Sequence, residues 1–260
     1  MKANQVIATH TLMIEASLRM SKELLKTTDV LILCGGLGTR FRQVRQDIPK
    51  CLAPIRGRPF IDLLLSNLVG QGFRKIILAT GYLGDQIKAH VRKRDDATYR
   101  FTRERELLGT GGALKLAEEI ISSNPFLVIN GDSFVDYELP RLLESHNQSG
   151  SDISILVSSS TEGEGFGNVQ LDKDERVISF REKAAHPVSS FSNAGIYCLS
   201  PVVLGLIDSG IPSSLEKECF PLWIDRFKVT GVRTESKIHD IGTVERYAAA
   251  QLEKFGSSLG

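Results

Sequence analysis

Short apolar runs closed by glycine, proline or charged residues recur along the chain. Leu31-Ile32-Leu33-Cys34 is the first clear one, and it stops abruptly at Gly35-Gly36-Leu37-Gly38. An apolar run of that length ending in a turn signal predicts a buried strand that feeds a tight loop. Phe60, Leu63, Leu64, Asn67 and Leu68 recur at helical spacing, and Gly70-Gln71-Gly72 closes that helix. The alternation continues with a strand over Lys75–Thr80, a helix over 85–94, a short strand over 99–102, a loop from 104 to 112 and a helix over 113–122. Phe126–Asn130, 139–146 and 153–157 read as strand, helix and strand. Strands alternating with helices predict an α/β, Rossmann-like domain with a mixed, mainly parallel sheet flanked by helices.

From Gly163 the texture changes. Residues 167–172 and 177–180 alternate apolar and polar positions about the turn Lys173-Asp174-Glu175-Arg176, which predicts a small antiparallel hairpin. A strand over 192–198, helices over 200–206 and 215–227, the strand Val229–Thr234 and a last helix over 244–255 complete one domain over 29–255. Ahead of it, residues 1–28 carry a loose helical stripe through Leu12, Met13, Ile14, Leu18, Leu24 and Leu25. This N-terminal helical extension is expected to cover the sheet, to make the subunit contact of a homodimer, or to be a poorly ordered tail.

The formal charge is +1 over 260 residues. That removes the electrostatic case for nucleic acid or an acidic membrane as partner, so any anion site must be local. No apolar run approaches membrane-spanning length and the N-terminus has no signal-peptide core, which points to a soluble, cytoplasmic protein. Cys34, Cys51, Cys198 and Cys219 form no Cys-x-x-Cys pair, which argues against zinc and thioredoxin-like chemistry. They read as packed thiols, although Lys50 beside Cys51 is a neighbour that lowers a thiol pKa.

The chemistry begins at the first loop. Glycines let backbone N–H groups approach a ligand closely, and several such groups pointing one way make a nest for anionic oxygen. Arg40 and Lys50 follow that loop and add two positive charges, one a planar fork and one a point charge. A polyphosphate suits such a site; a plain glycine turn with two exposed cations is the alternative. Asn130-Gly131-Asp132 puts a carboxylate just past a strand, where open α/β sheets bind ligands and a carboxylate can hold magnesium. Alone it is equally a turn. Thr243 suits a helix cap, which leaves Asp240 for other work.

Gly-Gly-x-Gly-Thr-Arg followed by Pro49-Lys50 resembles the signature of sugar-1-phosphate nucleotidyltransferases. Four further stretches resemble that family in the same order. They are Glu104-Arg-Glu-Leu-Leu-Gly109-Thr110-Gly-Gly-Ala113, Asn130-Gly-Asp132, Phe180-Arg-Glu182-Lys183, and Asp240-Ile-Gly-Thr243. Leu107, Ala184 and Val244 stand where the family has proline. The resemblance implies the nucleotide-diphospho-sugar transferase fold, with Gly35, Gly36, Gly38, Thr39, Arg40, Lys50, Glu104, Gly109 and Thr110 at the nucleotide. It implies Gly167, Glu182, Lys183 and Asn193 at the sugar phosphate, the hairpin lining the sugar. Asp132 and Asp240 would share Mg2+, and Arg40, Lys50, Asp132, Lys183 and Asp240 would form the catalytic set. A carboxylate at Glu104 accepts from two adjacent donors, which guanine offers and uracil or thymine does not; that leans to GTP. The phrasing of 52–60, 109–112 and 130–136 is closer still to D-glycero-α-D-manno-heptose 1-phosphate guanylyltransferases, which make GDP-heptose for surface polysaccharides. Mannose 1-phosphate guanylyltransferase comes second and a glucose 1-phosphate thymidylyl- or uridylyltransferase third. A non-catalytic nucleotide-sugar sensor would not need the full anion-handling set. A Rossmann oxidoreductase would need a Gly-x-Gly-x-x-Gly that is missing after the first strand.

Overall fold

The structure, a computed structural model, describes residues 22–36, 47–159, 166–182, 191–253 and 255. Of the expected extension, 1–21 lie outside these residues, while 22–27 are helical and Leu25 packs against the main core.

Four parallel strands build the centre: β1 (Asp29–Leu33), β4 (Lys75–Thr80), β5 (Thr98–Arg103) and β6 (Phe126–Asn130). β1 lies between β4 and β6, with Leu31 opposite Ile77 on one side and Val128 on the other. β2 (Pro54–Ile55) and β3 (Arg58–Pro59) are a two-stranded pair of their own. Val30, Ile32, Ile76, Leu78, Leu127 and Ile129 face one core; Leu31, Ile77, Ala79, Phe126 and Val128 face the other. Successive strand residues point to opposite faces, and both faces are covered at β1, β4 and β6, so these three strands carry apolar residues at nearly every position, unlike the edge strand β5.

Beyond β6 the sheet becomes mixed. β7 (Ser133–Val135), β8 (Ile153–Ser158), β9 (Asn168–Leu171), β10 (Val177–Arg181), β11 (Phe191–Leu199), β12 (Val229–Thr234) and β13 (Ile238–Asp240) follow in the chain. β11 runs antiparallel to both β6 and β8, and β12 pairs parallel with β8. The β9–β10 hairpin joins the start of β11, completing a nine-stranded sheet, while β7 and β13 pair separately. The helices are α1 (Phe60–Gly70), α2 (Gly84–Val91), α3 (Gly109–Leu116), α4 (Leu139–Ser149), α5 (Phe220–Ile224) and α6 (Val244–Leu252). α1, α2 and α4 cover the first face through Phe60, Leu64, Leu68, Ile87 and Leu142. α3 and α5 cover the second through Ala113, Leu114, Phe220 and Trp223. The expected α/β architecture and its antiparallel hairpin are therefore present. No helix among the described residues is long and apolar enough to cross a membrane.

One polar cluster lies inside this packing. His146 on α4 is buried, with Nδ1 3.0 Å from Ser154 Oγ, and Thr230 links Ser154 to Ser151. Burial pushes the imidazole below its ordinary 6.5, against a smaller upward pull from Asp152. The native state then binds fewer protons than the unfolded chain as pH falls through that ordinary value, so stability drops with pH. The melting temperature is expected to fall between about pH 7 and pH 5, and His146→Gln is expected to flatten that slope.

Candidate active site

The C-terminal ends of the parallel strands open into one cleft of about 550 Å³. β1 delivers Cys34, Gly35 and Gly36 to its wall, β5 is followed by Glu104, and β6 by Gly131 and Asp132. Because β11 is antiparallel to β6, its N-terminal end brings Asn193 to the same rim. This is where an open α/β sheet leaves room for a ligand.

The acidic corner is assembled by two three-residue strands. β7 and β13 pair antiparallel, with Asp240 opposite Ser133. The Ser133 hydroxyl reaches Asp132 Oδ1 at 3.3 Å and Asp240 Oδ2 at 3.5 Å, so the two carboxylates stand side by side. The Ile241 amide donates to the Asp132 carbonyl at 3.0 Å and fixes the spacing. Lys50 opens the 3-10 turn Lys50–Leu52, and its Nζ lies 2.5 Å from Asp132 Oδ2. Arg246 Nη1 donates to Asp240 Oδ1 at 3.0 Å, and the Gly242 amide donates to the same oxygen at 2.8 Å. Burial pushes the Asp132 carboxyl up, but the charge and hydrogen bond of Lys50 outweigh it and leave the group below its ordinary value. Among the described residues no third acidic, histidine or cysteine ligand joins this pair. Two carboxylates with positions left for water and phosphate oxygens are a donor set that magnesium accepts. Asp132 and Asp240 fit a shared cation.

The nucleotide side is built from close backbone approaches. A Cβ on Gly35 would lie 2.2 Å from Glu104 Oε1, and one on Gly81 would lie 2.6 Å from the Gly35 carbonyl oxygen. Glu104 is only 9% exposed, and its Oε2 accepts from the Leu108 amide at 2.8 Å. Burial pushes its pKa up, with the Leu108 N–H pulling the other way. α3 starts at Gly109, four residues before the helix expected from sequence. Three glycines in four residues read as loop, but Ser213 from a distant segment caps them: its carbonyl accepts from the Gly111 amide at 2.8 Å. That amide is thus already bonded within the chain. Gly109 has φ +70°, and a Cβ there would meet the Ser213 carbonyl oxygen at 2.4 Å. Gly109→Ala is expected to cost about 1–3 kcal/mol in a denaturant titration, the scale of a non-glycine residue forced into that region.

Across the cleft lie Gly167, Glu182 and Asn193. A Cβ on Gly167 would stand 3.2 Å from Glu182 Oε2 and 3.3 Å from Asn193 Cβ. Asn193 donates through Nδ2 to the Tyr197 hydroxyl at 2.8 Å and accepts from the Gly195 amide at 3.0 Å. Gly38, Thr39, Arg40 and Lys183 lie outside the described residues. All four cysteines are free. Cys34 lines the cleft, where a hydrogen bond to Cys51 and burial hold its thiol well above the ordinary value. His239 packs against Phe134 and Phe255 and pairs with Glu253.

A family model described as nucleotidyl transferase matches residues 29–255. The chain belongs to the nucleotidyl transferase family. It is 31% identical over 226 residues to the D-glycero-alpha-D-manno-heptose 1-phosphate guanylyltransferase of Aneurinibacillus thermoaerophilus, covering 86% of this chain and 97% of that protein. It is 35% identical over 220 residues to the mannose-1-phosphate guanylyltransferase catalytic subunit beta of Drosophila pseudoobscura pseudoobscura, covering 83% of this chain but only 59% of that protein's length. Among solved structures, HddC from Yersinia pseudotuberculosis superposes with a TM-score of 0.75 at 33% identity, covering 86% of this chain and 98% of that one. HddC has also been solved in complex with GMP-PN.

In this nucleotidyl transferase the sequence reading missed Ser133, Glu216 and Arg246. Arg246 lies three residues past the Thr243 cap, whose hydroxyl accepts from the Arg246 amide at 3.3 Å. Its guanidinium also stands 4.2 Å from the Phe166 ring centroid. A cation one helical turn beyond Asp-Ile-Gly-Thr was the available signal.

Proposed function

We propose that the protein transfers GMP from GTP to a sugar 1-phosphate, releasing pyrophosphate and a GDP-sugar. D-glycero-α-D-manno-heptose 1-phosphate is the first candidate acceptor. The observation that carries this reading is the placing of Asp132, Asp240 and Lys50 together at the strand ends, in one cleft with Glu104 and with Glu182 and Asn193.

In this reading an oxygen of the sugar phosphate bonds to the α-phosphorus of GTP. The bond from that phosphorus to the oxygen bridging to the β-phosphate breaks, and pyrophosphate leaves with the electron pair. The nucleophile is already an anion, so no residue has to take its proton. Among the described residues no histidine lines the cleft, in keeping with that. The chain's burden is to hold two anions together, by positioning and by fixed charge. Lys50 serves phosphate oxygens from its place beside Asp132, and Arg40 and Lys183 are assigned the same task from the sequence motifs. Magnesium held by Asp132 and Asp240 would supply further neutralisation at the phosphates. Glu104 accepts from guanine through the oxygen that Leu108 leaves open. Glu182 and Asn193 meet the sugar hydroxyls beside Gly167.

A pyrophosphate-release assay crossing GTP, ATP, UTP and dTTP with heptose, mannose and glucose 1-phosphates tests the proposal. GTP with the heptose 1-phosphate is expected to turn over fastest. Mannose 1-phosphate is the second reading, favoured by the 35% identity to the fly enzyme. Faster turnover of glucose 1-phosphate with UTP or dTTP would overturn the guanylyl assignment.

A further inference from the structure

One carboxylate in the cleft has no task in the chemistry above. Glu216 lies in the π-helical turn Leu215–Cys219, which projects it into the wall shared with Glu182, Asn193 and Thr110. Short π turns interrupt regular helix geometry and re-aim a side chain, often at a functional site. The turn is tied to the nucleotide side. The Leu215 amide donates to Thr110 Oγ1 at 2.8 Å, and the Thr110 hydroxyl donates to Glu216 Oε2 at 2.8 Å. The Ser214 hydroxyl also reaches Oε2, at 3.0 Å.

Both of those hydrogen bonds fall on one oxygen. No other described side chain bonds to Glu216 Oε1, although Glu216 lines the cleft. Burial pushes the pKa of this carboxyl up, hydrogen bonds from Thr110, from its own backbone amide and from Ser214 oppose it, and the nearby charge of Glu182 adds to the rise. A partly buried carboxylate oxygen that faces the cleft is placed to accept from a donor on a bound ligand.

Resting on the guanylyltransferase reading, we propose that Glu216 is a specificity-determining residue whose Oε1 accepts a hydrogen bond from a hydroxyl of the sugar. Glu182 and Glu216 then present acceptors from two segments of the chain, β10's end and the 215–219 turn. The acceptor sugar must carry hydroxyl donors for both, which makes the cleft selective for a fully hydroxylated sugar over deoxy forms.

The test uses the full chain with Glu216→Gln and Glu216→Ala, assayed by pyrophosphate release with saturating GTP and magnesium. Glutamine keeps an oxygen for Thr110 and Ser214 but turns a donor to the cleft. For the preferred sugar 1-phosphate, KM is expected to rise about 10–100-fold, the loss of a hydrogen bond to a charged group, while KM for GTP stays within about twofold. A panel of singly deoxygenated mannose and heptose 1-phosphates adds a readout that a mere strut would not move. The wild type is expected to discriminate against one of them about tenfold, and Glu216→Ala to use it and its parent equally. Equal rises in KM for GTP and sugar, or a deoxy penalty unchanged in Glu216→Ala, would overturn the inference. So would a wild-type preference for an amino sugar 1-phosphate, since a cation would then be the partner. If Glu216→Ala fails to fold, Glu216→Gln and the wild-type panel decide alone. A wild type without turnover on any pair would sink the guanylyltransferase reading and this inference with it; an active wild type with an unaffected Glu216→Gln sinks this inference only.

Discussion

Replacing Asp132 by asparagine is expected to lower kcat on the order of 10³-fold, the scale for removing one electrostatic group aimed at developing charge. The fold should survive. Asparagine has the same shape, still accepts from Ser133, and leaves the backbone link from Ile241 to the residue 132 carbonyl in place. What disappears is one negative charge from a corner that pairs Asp132 with Lys50 and sets it beside Asp240. Any cation then loses one of its two carboxylates, and Lys50 loses the partner that holds it at the rim. Asp240→Asn should behave alike with one difference. It also removes the Asp240 Oδ1 acceptor of the Arg246 guanidinium. Circular dichroism and thermal melting separate the catalytic loss from misfolding. Near-normal turnover by Asp132→Asn would remove it from the metal site.

Glu104→Gln is expected to lower kcat/KM for GTP by about 10–100-fold and to raise the standing of UTP and dTTP, because a charged acceptor is lost. The local geometry sets the sign. The Leu108 amide donates to one side of this group, so the glutamine oxygen will stay with Leu108 and its NH₂ will face the cleft. A donor there meets the N1–H and N2–H₂ of guanine head on, but suits the carbonyl oxygens of uracil and thymine. pH offers a second check. Burial raises the Glu104 pKa, so protonation removes the acceptor at a higher pH than for an ordinary glutamate. KM for GTP should rise as pH falls toward that raised value, and Glu104→Gln should erase the rise. An unchanged nucleotide profile would show that other groups read the base.

The central sheet was legible because β1, β4 and β6 are buried on both faces, which writes a nearly unbroken apolar run into the sequence. Asp132 was legible for a related reason: a carboxylate directly after such a run must sit at the strand's C-terminal edge. The meeting of Asp132 with Asp240 was implied by family resemblance alone. Physically it depends on β7 and β13, strands of three residues each, which are too short to leave a periodic signal. The start of α3 was misplaced because its cap is Ser213, a residue about a hundred positions away that no local pattern can announce. Glu216 was invisible because 215–227 scans as ordinary helix, and only the π turn at 215–219 turns that side chain into the cleft.

Crystals grown with Mn2+ and a non-hydrolysable GTP analogue give the decisive measurement, an anomalous difference map. One peak within coordination distance of both the Asp132 and Asp240 carboxylates, touching phosphate oxygens, is the predicted result. A peak bound by neither carboxylate, with the nucleotide lying outside the cleft, would contradict the account.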